Sequence, residues 1–124
     1  MAKASSTDSS DPALLAETRA EIETAVRSTV AHGLGQNHCI CHGDLGNLEL
    51  LTAAGRALGR EDWAARAGRF VGGVIDSMDR DGLLFGLPGN IETPGLMTGL
   101  AGLAYGLGRA AAPDRMPSIL ALEP

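Results

Sequence analysis

Glu61-Asp62-Trp63-Ala64-Ala65-Arg66-Ala67-Gly68-Arg69-Phe70-Val71-Gly72-Gly73-Val74-Ile75-Asp76-Ser77-Met78-Asp79-Arg80-Asp81-Gly82 is the stretch that decides the fold class. Its apolar positions Trp63, Ala67, Phe70, Val71, Val74, Ile75 and Met78 step by four, three, one, three, one and three. That is the rhythm of one buried face on an α-helix. Asp79-Arg80-Asp81-Gly82 ends the pattern. Trp63 and Phe70 lie a helical interval apart on that face and read as core.

The same period recurs on either side. Asp11-Pro12 reads as an N-cap followed by proline in the first turn. Leu15, Ile22, Val26 and Val30 then form one stripe of a helix that stops near His32-Gly33. A second helix carries Leu45, Leu48, Leu51 and Leu58, with Gly59 as its stop. After the quoted stretch, residues 83–91 form a Gly/Pro-interrupted loop with room for one short extended piece. A fourth helix is expected from Pro94 or Leu96 to Arg109. Beyond it Pro113 and Pro117 interrupt the chain, leaving an apolar tail over residues 118–122. No segment shows a period of two, so the class is all-α. Residues 1–11, rich in serine, are expected to form a disordered tail.

Composition narrows the function. The chain has 124 residues, 44% of them hydrophobic, which suits one small domain. Ten basic and fifteen acidic residues give a net charge of -5, and one lysine stands against nine arginines. No basic run remains to bind nucleic acid. The longest uncharged stretch, residues 93–108, holds five glycines and is too short and glycine-rich for a transmembrane segment. No secretory leader is visible, and two cysteines separated by one residue make no disulfide framework. A reducing, cytoplasmic setting is expected.

A weak repeat is present. Gly43-x-x-Gly46 recurs as Gly99-x-x-Gly102, and each pair opens a helix after a loop. Glycine costs a helix about 1 kcal/mol relative to alanine, so tight packing or the approach of a ligand must offset it. The interval between the pairs fits one helical hairpin per repeat, and such architectures need at least three units for stability.

The densest chemistry is Asn37-His38-Cys39-Ile40-Cys41-His42-Gly43-Asp44. Thiolate and imidazole are preferred zinc ligands, and Cys41 and His42 at the mouth of a helix are able to reach one ion. No second Cys/His pair completes a zinc-finger spacing. A buried small cysteine beside a surface histidine is the alternative. Asp44 reads as a first-turn charge and Glu49 as a solvated residue. Gly33-Leu34-Gly35 follows a helix instead of a strand and fails as a dinucleotide-binding turn. No serine-based triad motif occurs, and Glu92-Thr93-Pro94-Gly95 reads as loop and helix start.

Residues 36–51, with Cys41-His42-Gly43 at their centre, resemble the second metal motif of the lanthionine synthetase cyclases, the LanC-like family. Residues 91–107 are similar to the C-terminal part of that domain, and Pro117-Ser118-Ile119-Leu120-Ala121-Leu122-Glu123-Pro124 resembles the finish of its class II, LanM-type members. The resemblance spans residues 12–124 and implies an incomplete (α/α) toroid of about two helical hairpins, the C-terminal fragment of a cyclase domain. It implies zinc as cofactor, a lanthipeptide precursor as partner, and thioether ring formation by addition of peptide cysteines to dehydroalanine or dehydrobutyrine. Matched residue by residue, Cys41 and His42 are zinc ligands. Cys39, where a non-ligand residue is expected, is a candidate substitute for the third. His38, Gly43, Asp44, Gly99 and Gly102 are expected to line the substrate site.

The family's third ligand, a cysteine in a Trp-Cys-x-Gly motif, has no counterpart here, nor do its upstream proton-transferring histidine and aspartate or the LanM-type dehydratase domain. Activity is therefore expected only beside the missing N-terminal part of the synthetase. A degenerate peptide- or partner-binding module is the competing expectation. Terpenoid-cyclising toroids are disfavoured by the lack of an aspartate-rich motif, and the Pro117–Pro124 ending argues against a glutathione-adding eukaryotic relative.

Overall fold

A computed structural model describes residues 11–123, so the expected tail falls outside the described residues except at Asp11. Four α-helices run in order: α1 (Pro12–His32), α2 (Asp44–Leu58), α3 (Glu61–Asp81) and α4 (Leu100–Ala111). No strand occurs among the described residues; the loop after α3 carries a single 3₁₀ turn, Pro88–Asn90, in place of an extended piece. The described residues are all-helical, consistent with a partial α/α toroid.

The helix ends follow local chemistry. The Asp11 carboxylate accepts the N–H of Ala13 at 2.9 Å, capping α1 ahead of Pro12. Gly59, at φ +64°, supplies the left-handed residue that closes α2, and α3 begins two residues later.

Helix α2 is the hub. α1, α3 and α4 each pack against it. Leu45 and Leu48 join Ile40, Cys39, Val74, Phe85 and Leu103 in one core cluster. Leu51 and Ala54 join Val26, Trp63 and Ala67 in a second, and Phe70 packs against both. The periodic face of α3 is thus the one that meets α2, except at Ile75, which is 45% exposed and joins neither cluster. Between α3 and α4 lies a cavity of about 230 Å³ floored by Leu48 of α2 and walled by Ala67, Val71 and Gly106.

The expectations for α1 and α4 need correction. Leu15 is 55% exposed although it belongs to the stripe of Ile22, Val26 and Val30. With 21 residues, α1 is about 9 Å longer than the 15-residue α2. Glu23 of α1 already lies 3.8 Å from Arg60, just past the end of α2, so the preceding turns of α1 have no helix beneath them. The second correction concerns α4, which begins at Leu100, later than Pro94 or Leu96, and runs on to Ala111. Residues 93–99 form a turn instead, because the Thr93 carbonyl takes the N–H of Leu100 at 2.8 Å and the Gly95 carbonyl takes that of Gly99 at 3.1 Å.

Candidate functional site

The loops preceding α2 and α4 are built alike. The Asp44 N–H donates to the Asn37 carbonyl at 2.8 Å, as the Leu100 N–H does to Thr93 at 2.8 Å. The Gly46 N–H reaches the Cys39 carbonyl at 3.4 Å, as the Gly102 N–H reaches Gly95 at 3.4 Å. Donors and acceptors shift by the same interval in every case, Asp44 to Leu100, Asn37 to Thr93 and Cys39 to Gly95, so the weak glycine repeat marks a true structural repeat. Its glycines admit the loop's own backbone. A Cβ on Gly46 would stand 2.0 Å from the Ile40 carbonyl oxygen, and one on Gly102 would stand 1.9 Å from that of Leu96. Gly43 and Gly99 face Asn37 and Thr93 in the same way. Tight packing, rather than an open ligand surface, is what these positions require.

The two loops and the 83–91 loop interlock at one end of the helices. The Cys41 N–H donates to the Met97 carbonyl at 3.0 Å and the Gly86 N–H to that of Thr98 at 3.0 Å. The His38 N–H donates to the Leu84 carbonyl at 2.8 Å, and the Leu84 N–H returns to His38 Nδ1 at 3.1 Å. On this platform Cys41 and His42 are exposed, whereas Cys39 is wholly buried with its Sγ 3.8 Å from His42 Nδ1. Among the described residues no three side chains from histidine, cysteine, aspartate and glutamate converge on one point. As donors for zinc, Cys41 and His42 therefore fit in kind but not in number, because a catalytic site takes three protein ligands.

His38 and Asp44 occupy a different place. They line a cavity of about 420 Å³ with Leu34, Phe70, Ser77 and Leu84, and neither Cys41 nor His42 borders it. Asp44 Oδ1 accepts the Gly35 N–H at 2.6 Å, tying the start of the α1–α2 loop to the first turn of α2. Burial raises the Asp44 carboxyl above its ordinary range, against the opposing pull of the Gly35 N–H and of His38. Burial likewise lowers the His38 imidazole, outweighing attraction from Asp44 and Asp81. Because Nδ1 accepts from Leu84, the ring proton sits on Nε2, facing Ser77 Oγ at 3.3 Å, and that hydroxyl in turn donates to Asp81 at 3.4 Å.

These two groups make stability depend on pH. A lowered histidine contributes stability fully above its unfolded value of about 6.5, and this contribution is lost as pH falls from there, by at most about 1.4 kcal/mol per pH unit. Asp44 acts oppositely: its contribution is greatest in acid and is lost as pH rises from about 4 towards its raised value. In His38→Asn, the amide oxygen replaces Nδ1 as acceptor for Leu84 without titrating. Urea midpoints measured from pH 7 to 5 are expected to fall for the native chain and stay flatter for the variant.

Glu49 and Arg109 were not legible as a unit. Glu49, read from sequence as solvated, has a side chain only 10% exposed and pairs at 3.3 Å with Arg109, itself 9% exposed. The correction has a structural cause: the arrival of α4 over α2 covers both. Arg109 also donates to the carbonyls of Pro113 and Met116 and reaches Glu123 at 3.3 Å. Glu123 accepts the Ser118 N–H at 2.7 Å, and the Tyr105 hydroxyl bridges the Pro117 carbonyl and the Ile119 N–H. Glu49 and Arg109 sit on different helices, too far apart along the chain to leave a local sequence signal.

Two glycine-notched loops at the same end, each leading into a helix (α2 or α4), define a repeat protein of the α/α toroid class. The chain belongs to the lanthionine synthetase C-like family, whose model matches residues 6–121. No curated protein and no solved structure matched the chain. Among the described residues no helix is long and apolar enough to cross a membrane.

Proposed function

We propose that this chain contributes the Cys41–His42 half of the zinc site of a lanthipeptide cyclase, in a cytoplasmic setting that keeps Cys41 reduced. The observation that carries the reading is the pairing of an exposed thiol and an exposed imidazole, adjacent in sequence, on the loop before α2 in a chain of this family. Zinc, when bound, would supply the acidity that turns a peptide cysteine into a thiolate able to add to a dehydrated residue. The chain's own part is to hold two donors on a rigid platform: the Cys41 N–H is tied to Met97, and the loop beneath is notched into α2 at Gly43 and Gly46. The third donor and the proton-transferring groups would come from other polypeptide, such as the N-terminal part of a synthetase, and the precursor peptide would approach over the exposed face of Cys41 and His42. The resemblance of residues 117–124 to the LanM-type finish supports a class II origin, and the described part of that segment is held to α4 through Arg109 and Tyr105.

A second reading, a non-catalytic peptide- or partner-binding module, is favoured by the lack of a third converging donor among the described residues. Metal analysis separates the two. Stoichiometric zinc in the purified chain, lost in Cys41→Ala, would support the first reading; no zinc in either protein would favour the second. The chain alone is expected to close no thioether rings on a dehydrated peptide, and ring formation without a partner, read by mass spectrometry, would refute the half-site.

A further inference from the structure

We propose that Cys39 is a positioning residue for His42: its sulfur accepts a hydrogen bond from Nδ1–H, and Nε2 is thereby presented outward as an unprotonated donor. The inference rests on reading Cys41 and His42 as the metal-binding pair, and it replaces the expectation that Cys39 is itself a ligand.

The contact is built from three loops. Cys39 Sγ lies 3.8 Å from His42 Nδ1, within the range of a sulfur hydrogen bond. The thiol is fully buried, while the imidazole it touches is on the exposed face. Gly86 closes the pocket around both: a Cβ there would stand 2.7 Å from the sulfur and 3.2 Å from His42 Cε1. Gly86 is fixed in turn by its N–H to the Thr98 carbonyl at 3.0 Å. Only a residue without a side chain lets the 83–91 loop pass this close to the thiol and the ring.

The loop's backbone does not need the pair. In the second copy of the repeat, where Gly99 and Gly102 replace Gly43 and Gly46, Gly95 stands at the Cys39 position and Thr98 at the His42 position. Nevertheless that loop shares three backbone hydrogen bonds with the first, those donated by Leu100, Gly102 and Leu103 matching those of Asp44, Gly46 and Asn47, and the same glycine approaches. The thiol–imidazole contact is therefore an addition to a frame that folds without it, and its chemistry is what calls for explanation.

A neutral imidazole carries one proton and one free lone pair, and a metal-binding histidine characteristically donates its second ring N–H to a neighbour that fixes the tautomer. With Nδ1 turned to Cys39, Nε2 is the nitrogen left for a metal. A ligand role for Cys39 would instead place an ion between Sγ and Nδ1, at a thiol that is wholly buried and closed over by Gly86, whereas Cys41 stands exposed.

The test is nitrogen NMR of the His42 ring in the metal-free chain at about pH 8, where an ordinary imidazole is neutral. The Nδ1–H tautomer is expected to predominate, and in Cys39→Ala its ratio to the Nε2–H form is expected to fall about fivefold, the worth of one modest hydrogen bond. Cys39→Ser, whose hydroxyl still accepts, should retain most of the native ratio. Gly86→Ala, which wedges sulfur and ring apart, should reproduce the loss. A native chain with mostly Nε2–H, or a ratio indifferent to Cys39→Ala, would overturn the proposal. So would cobalt(II) titrations in which thiolate-to-metal absorption survives Cys41→Ala but not Cys39→Ala. Because the NMR measurement uses no metal, failure of the zinc reading and failure of this one give different results.

Discussion

Gly102→Ala is expected to destabilise the fold by about 4 kcal/mol or more, a loss comparable with the whole stability of a small domain. The added methyl would stand 1.9 Å from the Leu96 carbonyl oxygen and 3.0 Å from its carbon. Both atoms belong to backbone, so no rotamer change relieves the overlap. The turn cannot retreat cheaply either, since Thr93 and Gly95 accept the N–H groups of Leu100, Gly99 and Gly102, and Met97 accepts that of Cys41. Gly46→Ala meets the Ile40 carbonyl oxygen at 2.0 Å and should behave alike. Gly72→Ala is the control. That helical position has nothing within 4 Å, and alanine's better propensity should stabilise α3 by up to about 1 kcal/mol. Urea denaturation followed by circular dichroism would report a collapse for the first two and a higher midpoint for the third. Equal, small effects at all three positions would mean that the loops are not seated on the helices as described.

Arg109→Met should cost about 3 to 5 kcal/mol and free the C-terminal tail. Removing the guanidinium leaves Glu49 as a shielded carboxylate without its partner, the condition under which breaking a buried pair is most costly. The same substitution orphans the carbonyls of Pro113 and Met116 and the inner contact of Glu123. Arg56→Met offers the comparison. Its partner Asp114 is 84% exposed, and such pairs are worth at most about 1 kcal/mol. Limited proteolysis should therefore cut the Arg109 variant between residues 113 and 123 at protease levels that leave both the native chain and the Arg56 variant intact. Protection of that segment in the Arg109 variant would show that Tyr105 and Ser118 hold the tail unaided.

Elements with a strong local period were legible, and those set by distant partners were not. Helix α3 was readable because Trp63, Ala67 and Val74 must share one face to be buried at all. The start of α4 was misplaced because Pro94 and Leu96 look like helix openers, while the carbonyls that stop them, at Thr93 and Gly95, act through the turn itself. At the site, Cys41 and His42 stood out by residue type, and the glycine pairs by their recurrence. Gly86 had no such mark, since its role is defined by Cys39 and His42, two helices earlier in the chain.

The sequence by itself determined the all-helical class, the repeat and the Cys41–His42 pair, because helical burial and donor chemistry are written in spacing and residue type. The tertiary structure alone decided what the glycines admit, that Glu49 is shielded by Arg109, that burial lowers the His38 imidazole beside Leu84, and that Cys39 turns towards His42. Each of these depends on which backbone or charge arrives from a remote segment. No window of local sequence carries that information, because distance through space is set by packing and not by position along the chain.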